Sequence, residues 1–159
     1  MNNLELEYRK KLFTYFKQYS RPVELAMRQV LSSKFEDDVD FIDFVMFNYD
    51  CLGNPLPIYT WPSIMQSERS TEVYSDYECP LSKIQTKEFE YYDEDIEDFV
   101  EIEWQLKDCA AKWLRQAWKD AGGEHFELPC FFALHDDIES YSFKTEVWIE
   151  NAPKLKKQG

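Results

Sequence analysis

The chain has 159 residues, and 31 acidic against 18 basic side chains give it a formal net charge of −13. This charge excludes a general nucleic-acid binder and disfavours docking on anionic membranes, since both need a basic surface. Aromatic residues make up 17% of the chain, which a disordered protein without a core would not carry. We therefore predict a folded domain.

The N-terminal third of the chain is predicted to be helical. Apolar residues recur at helical spacing over residues 4–18 and again over residues 23–33. Pro22 falls between the two patterns and suits the first turn of a helix, where its missing N–H group is not needed. The pattern fits either one helix kinked near Pro22 or two short helices.

A β-hairpin is predicted to follow these helices. Residues 40–49 are rich in aromatic and β-branched side chains, which favour a strand. The near-continuous apolar run within them predicts a strand covered on both faces. Residues 51–55 supply turn residues, and residues 56–61 are typical of the return strand.

The segment between this hairpin and the next helix, residues 62–92, carries a mixed pattern. Residues 70–74 suit a short strand, and residues 80–84 suit a loop or a single helical turn. Segments this long without regular structure are uncommon in compact domains unless they are functional or mobile.

A long helix is the clearest element that the sequence predicts. Asp93 or Asp95 can cap it, and apolar residues at helical spacing continue to about Ala121. Gly122-Gly123 is predicted to end this helix, because glycine readily adopts the left-handed conformation that often follows the last helical turn. Acidic residues fill the predicted first turns and basic residues the last turns, which complements the helix dipole.

Two more strands are predicted near the C-terminus. Residues 126–134 form an apolar run typical of a buried strand, and residues 141–149 alternate as a half-buried strand does. This order of elements predicts an α+β fold: an antiparallel sheet of four to five strands with the N-terminal helix or helices and the long helix packed against it. We expect one such domain over residues 1–150 and a flexible polar tail over residues 151–159.

One compact set of metal-ligand residue types occurs, His135-Asp136-Asp137 with Glu139. It falls in the turn between the last two predicted strands, where oxygen ligands could converge on a divalent ion. Aspartates in turns more often bond their own backbone, so the turn is the simpler interpretation. His125 lies near the end of the long helix without a recognisable catalytic partner.

The remaining candidates for chemistry are interpreted as structural. The four cysteines are widely spaced without a CxxC pair, and Cys109 and Cys130 lie in apolar segments typical of a core. Trp113 lies on the apolar stripe of the long helix and is also predicted to be core. No nucleophile, phosphate-loop or dinucleotide motif occurs, so we predict no catalytic residue and no cofactor.

The acidity of the chain is concentrated in its middle. Residues 36–108 carry a net charge of −16, and residues 88–108 hold ten acidic side chains and one basic side chain, Lys107. Such a segment is typical of a solvated face, but it would also steer a basic partner into contact. Trp104 lies among these carboxylates, where it would either anchor an interface or cap the edge of the sheet. The candidate partner-binding residues are Glu94, Glu97, Asp98, Glu101 and Trp104.

The last half of the chain, together with its size and acidity, carries a resemblance to a known class of protein. From Trp113 to Ile149 it has a Trp-rich helix, a Gly-Gly pair, a proline-containing strand, a His-Asp-Asp turn and a last strand. In this it resembles the small acidic immunity proteins that bacteria make against their own polymorphic or contact-dependent toxins, and uncharacterised bacterial domains found with them. The resemblance implies a cytoplasmic protein that binds a basic toxin domain, often a nuclease, and blocks its site.

We therefore interpret the chain as a non-catalytic protein-binding module of the immunity or antitoxin type, whose acidic face neutralises a basic toxin domain. No signal-peptide pattern or membrane span is apparent, which predicts a cytoplasmic location. Two other functions stay open. One is a DNA-mimic inhibitor of a nucleic-acid-binding protein, and the other is a small enzyme or metal-binding domain that uses the His135-Asp136-Asp137 turn.

Overall fold

The computed structural model describes residues 1–46, 58–66, 69–72, 79–87, 89, 96–135 and 137–150, and of residues 58–66, 69–72, 97 and 98 it describes the backbone alone. The helices of this part of the chain are α1 (Asn3–Lys17), α2 (Ser20–Ser32), α3 (Ile96–Phe99) and α4 (Ile102–Asp120), with 3₁₀ turns at Pro80–Lys83 and Gly123–His125. The strands are β1 (Phe41–Met46), β2 (Ile58–Gln66), β3 (Arg69–Glu72), β4 (Cys130–Leu134), β5 (Glu139–Ser142) and β6 (Trp148–Glu150).

The six described strands form one mixed sheet in the order β3-β2-β1-β4-β5-β6. β1 lies antiparallel to β2 and parallel to β4, and the other neighbouring pairs are antiparallel. The long connection between β1 and β4, which includes α4, provides the crossover that a parallel pair needs. The predicted α+β class is confirmed. The sheet differs from the predicted antiparallel one in having six strands and one parallel pair.

The predicted hairpin is present as β1 and β2. β1 is buried along its whole length, as its apolar run predicts. β2 runs antiparallel to it, with Phe41 opposite Ser63 and Met46 opposite Ile58. The predicted turn residues 51–55 lie outside the described residues. The short strand expected at 70–74 corresponds to β3, and the 3₁₀ turn falls where a loop or helical turn was predicted.

The N-terminal segment forms two helices rather than one kinked helix. Asn2 begins α1 with a capping box: its side chain accepts a hydrogen bond from the Glu5 N–H at 2.8 Å, and its own N–H donates to Glu5 Oε2 at 2.9 Å. α1 ends at Lys17, and Pro22 lies in the first turn of α2 as predicted.

The long helix begins at Ile102, not at Asp93 or Asp95, which lie outside the described residues. The chain leaves helical geometry at Glu101, where φ is −74° and ψ is 80°. Val100 and Ile102 are both buried. In an unbroken helix, two residues at this spacing are separated by a rotation of about 200° around the axis, so these side chains would lie on nearly opposite sides. The break therefore lets both side chains reach the core, and it removes the predicted acidic first turns from α4.

The C-terminal strands also differ from the prediction in their bounds. Gly122 ends α4 with a φ of +90°, as expected, but a 3₁₀ turn then precedes β4. The single strand predicted over residues 141–149 is wrong, because β5 and β6 are separated by a turn in which Glu146 has a φ of +60°. This turn places Trp148 opposite Tyr141, and side chains directly opposite each other share one face of a sheet.

The helices pack on one face of the sheet and form the main core there. Phe16 of α1 stacks on Trp113 of α4 with 4.8 Å between ring centroids, and Trp113 is buried as predicted. Full burial of an aromatic side chain of this kind stabilises the fold by about 1.5–3 kcal/mol. On the other face of the sheet, Phe41 and Phe131 are buried and meet edge to face at 6.0 Å. None of the helices in the described ranges combines the length and the apolar character that crossing a membrane requires.

Candidate functional site

The predicted acidic face lies at the start of α4, and part of it is described. Glu101 is exposed just before the helix, and Trp104, in the first turn, is 37% exposed. Together with Glu103 they line an open depression of about 340 Å³. The other predicted members are Glu94, which lies outside the described residues, and Glu97 and Asp98, whose backbone alone is described, in α3.

The Trp104 side chain has defined neighbours at this surface. Its ring centroid lies 5.7 Å from that of Trp148 on β6, the strand at the edge of the sheet, and 5.2 Å from Lys107 Nζ. The two roles considered for Trp104 are therefore compatible. The ring covers part of the sheet edge, and more than a third of the residue remains accessible to a partner.

Lys107 connects this surface to the turn before β5. Its side chain is 10% exposed, and its Nζ donates to Asp137 Oδ2 at 2.8 Å and to Glu139 Oε2 at 2.9 Å. The same nitrogen lies 4.9 Å from the Trp148 ring centroid. Burial by itself lowers the pKa of Lys107, but the hydrogen bonds to the two carboxylates outweigh it, and the pKa is raised. The ammonium group therefore stays charged at neutral pH, binds both carboxylates and offsets one of their two negative charges.

The His-Asp-Asp turn is organised by its backbone and by this lysine. Asp137 Oδ1 accepts a hydrogen bond from the Glu139 N–H at 3.2 Å, which is the local turn bond that the sequence suggests. His135 is exposed, and Asp136 lies outside the described residues. Within the described ranges, no three His, Cys, Asp or Glu side chains form a group that could hold a metal ion.

A second charged cluster, which the sequence did not predict, surrounds Asp108. Its carboxylate is 9% exposed and accepts hydrogen bonds from Arg9 Nη2 at 3.1 Å, Lys112 Nζ at 2.9 Å and Trp148 Nε1 at 3.2 Å. Arg9 also donates to Gln105 Oε1 at 2.7 Å. Burial tends to raise the pKa of Asp108, but these donors lower it below its ordinary value. The cluster links α1, α4 and β6, and through Trp148 it adjoins Trp104.

The three described cysteines are buried and form no disulfide with one another, which fits the predicted structural role. Burial raises the pKa of Cys109 to about 11, and burial likewise raises the pKa of Cys130. Since the thiolate is the nucleophilic form, neither residue is activated for nucleophilic catalysis at neutral pH. Cys79 is buried as well, and Cys51 lies outside the described residues.

Three residues around Trp104 were not predicted as site residues, Glu103, Lys107 and Trp148, and Lys107 carried a visible signal. Lys107 is the single base in an acidic segment of 21 residues, and an isolated opposite charge of this kind often marks an internal ion pair. Trp148 carried no such signal, because its position on the predicted last strand did not indicate which helix it would face.

Comparison of the chain with protein-family models, with curated proteins and with solved structures finds no match.

Proposed function

We propose that this chain is a non-catalytic protein-binding module of the immunity or antitoxin type, which acts in the cytoplasm by neutralising a basic toxin domain. The observation that carries the proposal is the partly exposed Trp104, held against Lys107 and Trp148 and bordered by exposed Glu101 and Glu103. We call this group of five residues the Trp104 surface.

The Trp104 surface has the properties of an interface anchor. Tryptophan is among the residues that contribute most to binding energy in protein interfaces. A ring that is already held by its neighbours loses little conformational entropy on binding, which favours affinity. Phe99, in the helical turn just before it, adds a large apolar side chain that is 57% exposed.

The charge around this surface fits a basic partner. Residues 96–104 contain four acidic side chains and no basic one. A negative patch on an interface accelerates encounter with a positive partner and disfavours partners of like charge. The toxin domain that the proposal requires is basic, as a nuclease that contacts nucleic-acid phosphates would be.

The test begins with capture of the partner from a lysate of the native host at low and at moderate salt, identified by mass spectrometry. We expect a stoichiometric basic protein that is lost at higher salt, because exposed charge pairs are screened. If no stoichiometric partner is captured at either salt, the proposal is contradicted.

Reversing the acidic charges is expected to slow association with the captured partner. In the variant with Glu97→Lys, Asp98→Lys and Glu101→Lys, the association rate constant should fall at least about tenfold at low salt, because electrostatic steering is lost. The measurement is stopped-flow or surface plasmon resonance kinetics at several salt concentrations. The control variant carries the same change in net charge at exposed acidic positions elsewhere: Asp37→Lys, Asp38→Lys and Glu127→Lys. Equal rates for the two variants would remove the acidic-face hypothesis.

Removing the aromatic anchor is expected to weaken the complex mainly by faster dissociation. Trp104→Ala should raise the Kd at least about 30-fold, the effect of truncating an interface hot spot. The control is Leu25→Ala, which removes an exposed apolar side chain of α2. Titration calorimetry measures the affinity, and urea unfolding confirms that the variant is folded. A folded Trp104→Ala protein with unchanged affinity would show that this side chain is not the anchor.

A further inference from the structure

The C-terminal end of α4 carries a cavity of a size that suits a small organic ligand. Its volume is about 570 Å³, and small-molecule sites commonly measure about 300–1,000 Å³. The partly buried Phe126 and Leu128 supply apolar wall, and Arg115 and Trp118 line it from α4. The distance from Trp104 to Trp118 along the helix axis is about 21 Å, so this site is separate from the Trp104 surface.

The Arg115 guanidinium is the main polar feature of this cavity. Its side chain is 16% exposed, its Nε donates to the Phe143 carbonyl oxygen at 2.8 Å, and its Nη1 lies 3.1 Å from Glu146 Oε1. A guanidinium has five N–H donors, so these two contacts leave at least three donors without an acceptor in the described part of the chain. Donors at the wall of a cavity that have no acceptor favour an oxyanion, and a guanidinium matches the two oxygens of a carboxylate.

A second cation and two carboxylates determine which anion fits. Lys144 also lines the cavity and makes no ion pair with the described residues. Glu124 and Glu127 lie on the same wall, and Glu124 Oε1 is 3.7 Å from Lys119 Nζ. These two carboxylates, together with Glu146 beside Arg115, repel a dianion such as a phosphate more strongly than a monoanion. The lining therefore favours a singly charged head group.

We infer that this cavity binds a monocarboxylate with an apolar aromatic or branched aliphatic body. Its carboxylate contacts Arg115 and Lys144, and its body packs on Phe126 and Leu128. A free carboxylic acid and the C-terminal carboxylate of a peptide that ends in an apolar residue share this chemistry. The inference does not depend on the proposed toxin-neutralising function.

The test uses the full chain and NMR titration with four probes. These are 3-phenylpropionate, its uncharged amide, phenylphosphonate, and the tripeptide Gly-Gly-Phe with a free C-terminus. The readout is the indole N–H signal of Trp118, which lines the cavity, assigned with a Trp118→Phe variant. We expect a saturable shift with 3-phenylpropionate or the tripeptide, and affinity at least about tenfold weaker for the amide, because the amide lacks the charge-assisted bonds.

The relative affinities decide between the two sources of the carboxylate. Tighter binding of 3-phenylpropionate indicates a free acid, and tighter binding of Gly-Gly-Phe indicates a peptide terminus; either result supports the inference. It is overturned if no probe gives a saturable shift, if the amide binds as well as the acid, or if the phosphonate binds tightest.

Substitutions of Lys144 and Arg115 test whether these two cations hold the carboxylate. Lys144→Gln is expected to weaken binding of the carboxylate about fivefold, as loss of one partly exposed charge pair does. Lys10→Gln removes the same charge on α1, outside the cavity, and should leave the affinity unchanged. Arg115→Lys keeps the positive charge but removes the planar guanidinium group. It should weaken binding of 3-phenylpropionate more than binding of its amide. If Arg115→Lys fails to fold, the comparison of Lys144→Gln with Lys10→Gln decides, and equal affinities there contradict the assignment.

Discussion

Replacing Asp108 with alanine is expected to lower the free energy of unfolding by about 3–5 kcal/mol, the range found when one partner of a buried ion pair is removed. The carboxylate is 9% exposed and accepts hydrogen bonds from Arg9, Lys112 and Trp148. Without it, the Arg9 guanidinium, which is only 14% exposed, would retain Gln105 as a neutral partner. The loss is large because a charge stays buried after its counterion is gone.

Urea unfolding followed by Trp fluorescence measures this effect. The control is Glu124→Ala, which removes a carboxylate from the surface pair with Lys119, where both side chains are about half exposed and 3.7 Å apart. That pair is worth less than about 1 kcal/mol. If Asp108→Ala costs no more than Glu124→Ala, the Asp108 cluster does not stabilise the fold.

The pH dependence of stability gives an independent test of the same cluster. The pKa of Asp108 is lowered in the folded protein, while an unfolded aspartate titrates near about 3.9. Because the pKa is lower in the folded state than in the unfolded state, the stabilisation is fully present at pH values above the unfolded-state pKa. It is lost as the pH falls through the folded-state pKa. We therefore expect the stability difference between the native protein and Asp108→Asn to be constant from about pH 5 to 7 and to shrink below about pH 4. A difference that does not change with pH would contradict the assigned role of the ionised carboxylate.

Local signals in the sequence predicted most of the helices because these signals lie within a few residues of each other. The apolar spacing within α1, the proline in the first turn of α2 and the glycine at position 122 each act over a few neighbouring residues. The break at Glu101 was not predictable in the same way. Ile96, Val100 and Leu106 fit one helical stripe, and only the burial of Ile102 in the folded protein shows that the stripe is interrupted.

The last hairpin shows a different limit of sequence reasoning. Residues 141–149 alternate as one strand would, and the turn between β5 and β6 contains no glycine, proline or asparagine to mark it. The left-handed position is taken by Glu146, a residue type that rarely adopts it. Its carboxylate lies 3.1 Å from Arg115 Nη1, and this contact between distant parts of the chain favours a turn that local propensity does not.

The candidate site was partly predictable for the same physical reason. Trp104 was a candidate because it lies among carboxylates in the predicted long helix, which is a local feature of the sequence. The bond between Arg9 and Asp108 joins residues 99 positions apart, and no local pattern indicates such a pair. Sequence reasoning therefore found the accessible ring and missed the buried charges that support it.

The adjacent glycines at the end of α4 are expected to respond to alanine for two different reasons. Gly122 has a φ of +90°, where alanine is strained, but a Cβ there would meet nothing within 4 Å. Gly123 has no positive φ, but a Cβ there would overlap the indole ring of Trp118, which is 5% exposed. Gly122→Ala should cost about 1–2 kcal/mol, the penalty of one left-handed residue.

Gly123→Ala is expected to cost more, about 3 kcal/mol, because a buried tryptophan in a packed core must move to admit the methyl group. Urea unfolding measures both variants. The double variant Gly123→Ala with Trp118→Leu separates the two causes, since a smaller side chain at 118 relieves the overlap but cannot relieve backbone strain. We expect Gly123→Ala to be much less damaging in the Trp118→Leu background, whereas the cost of Gly122→Ala should be similar in both backgrounds. If Gly123→Ala costs the same in both backgrounds, the close approach of the Gly123 backbone to Trp118 is not the reason that position 123 requires glycine.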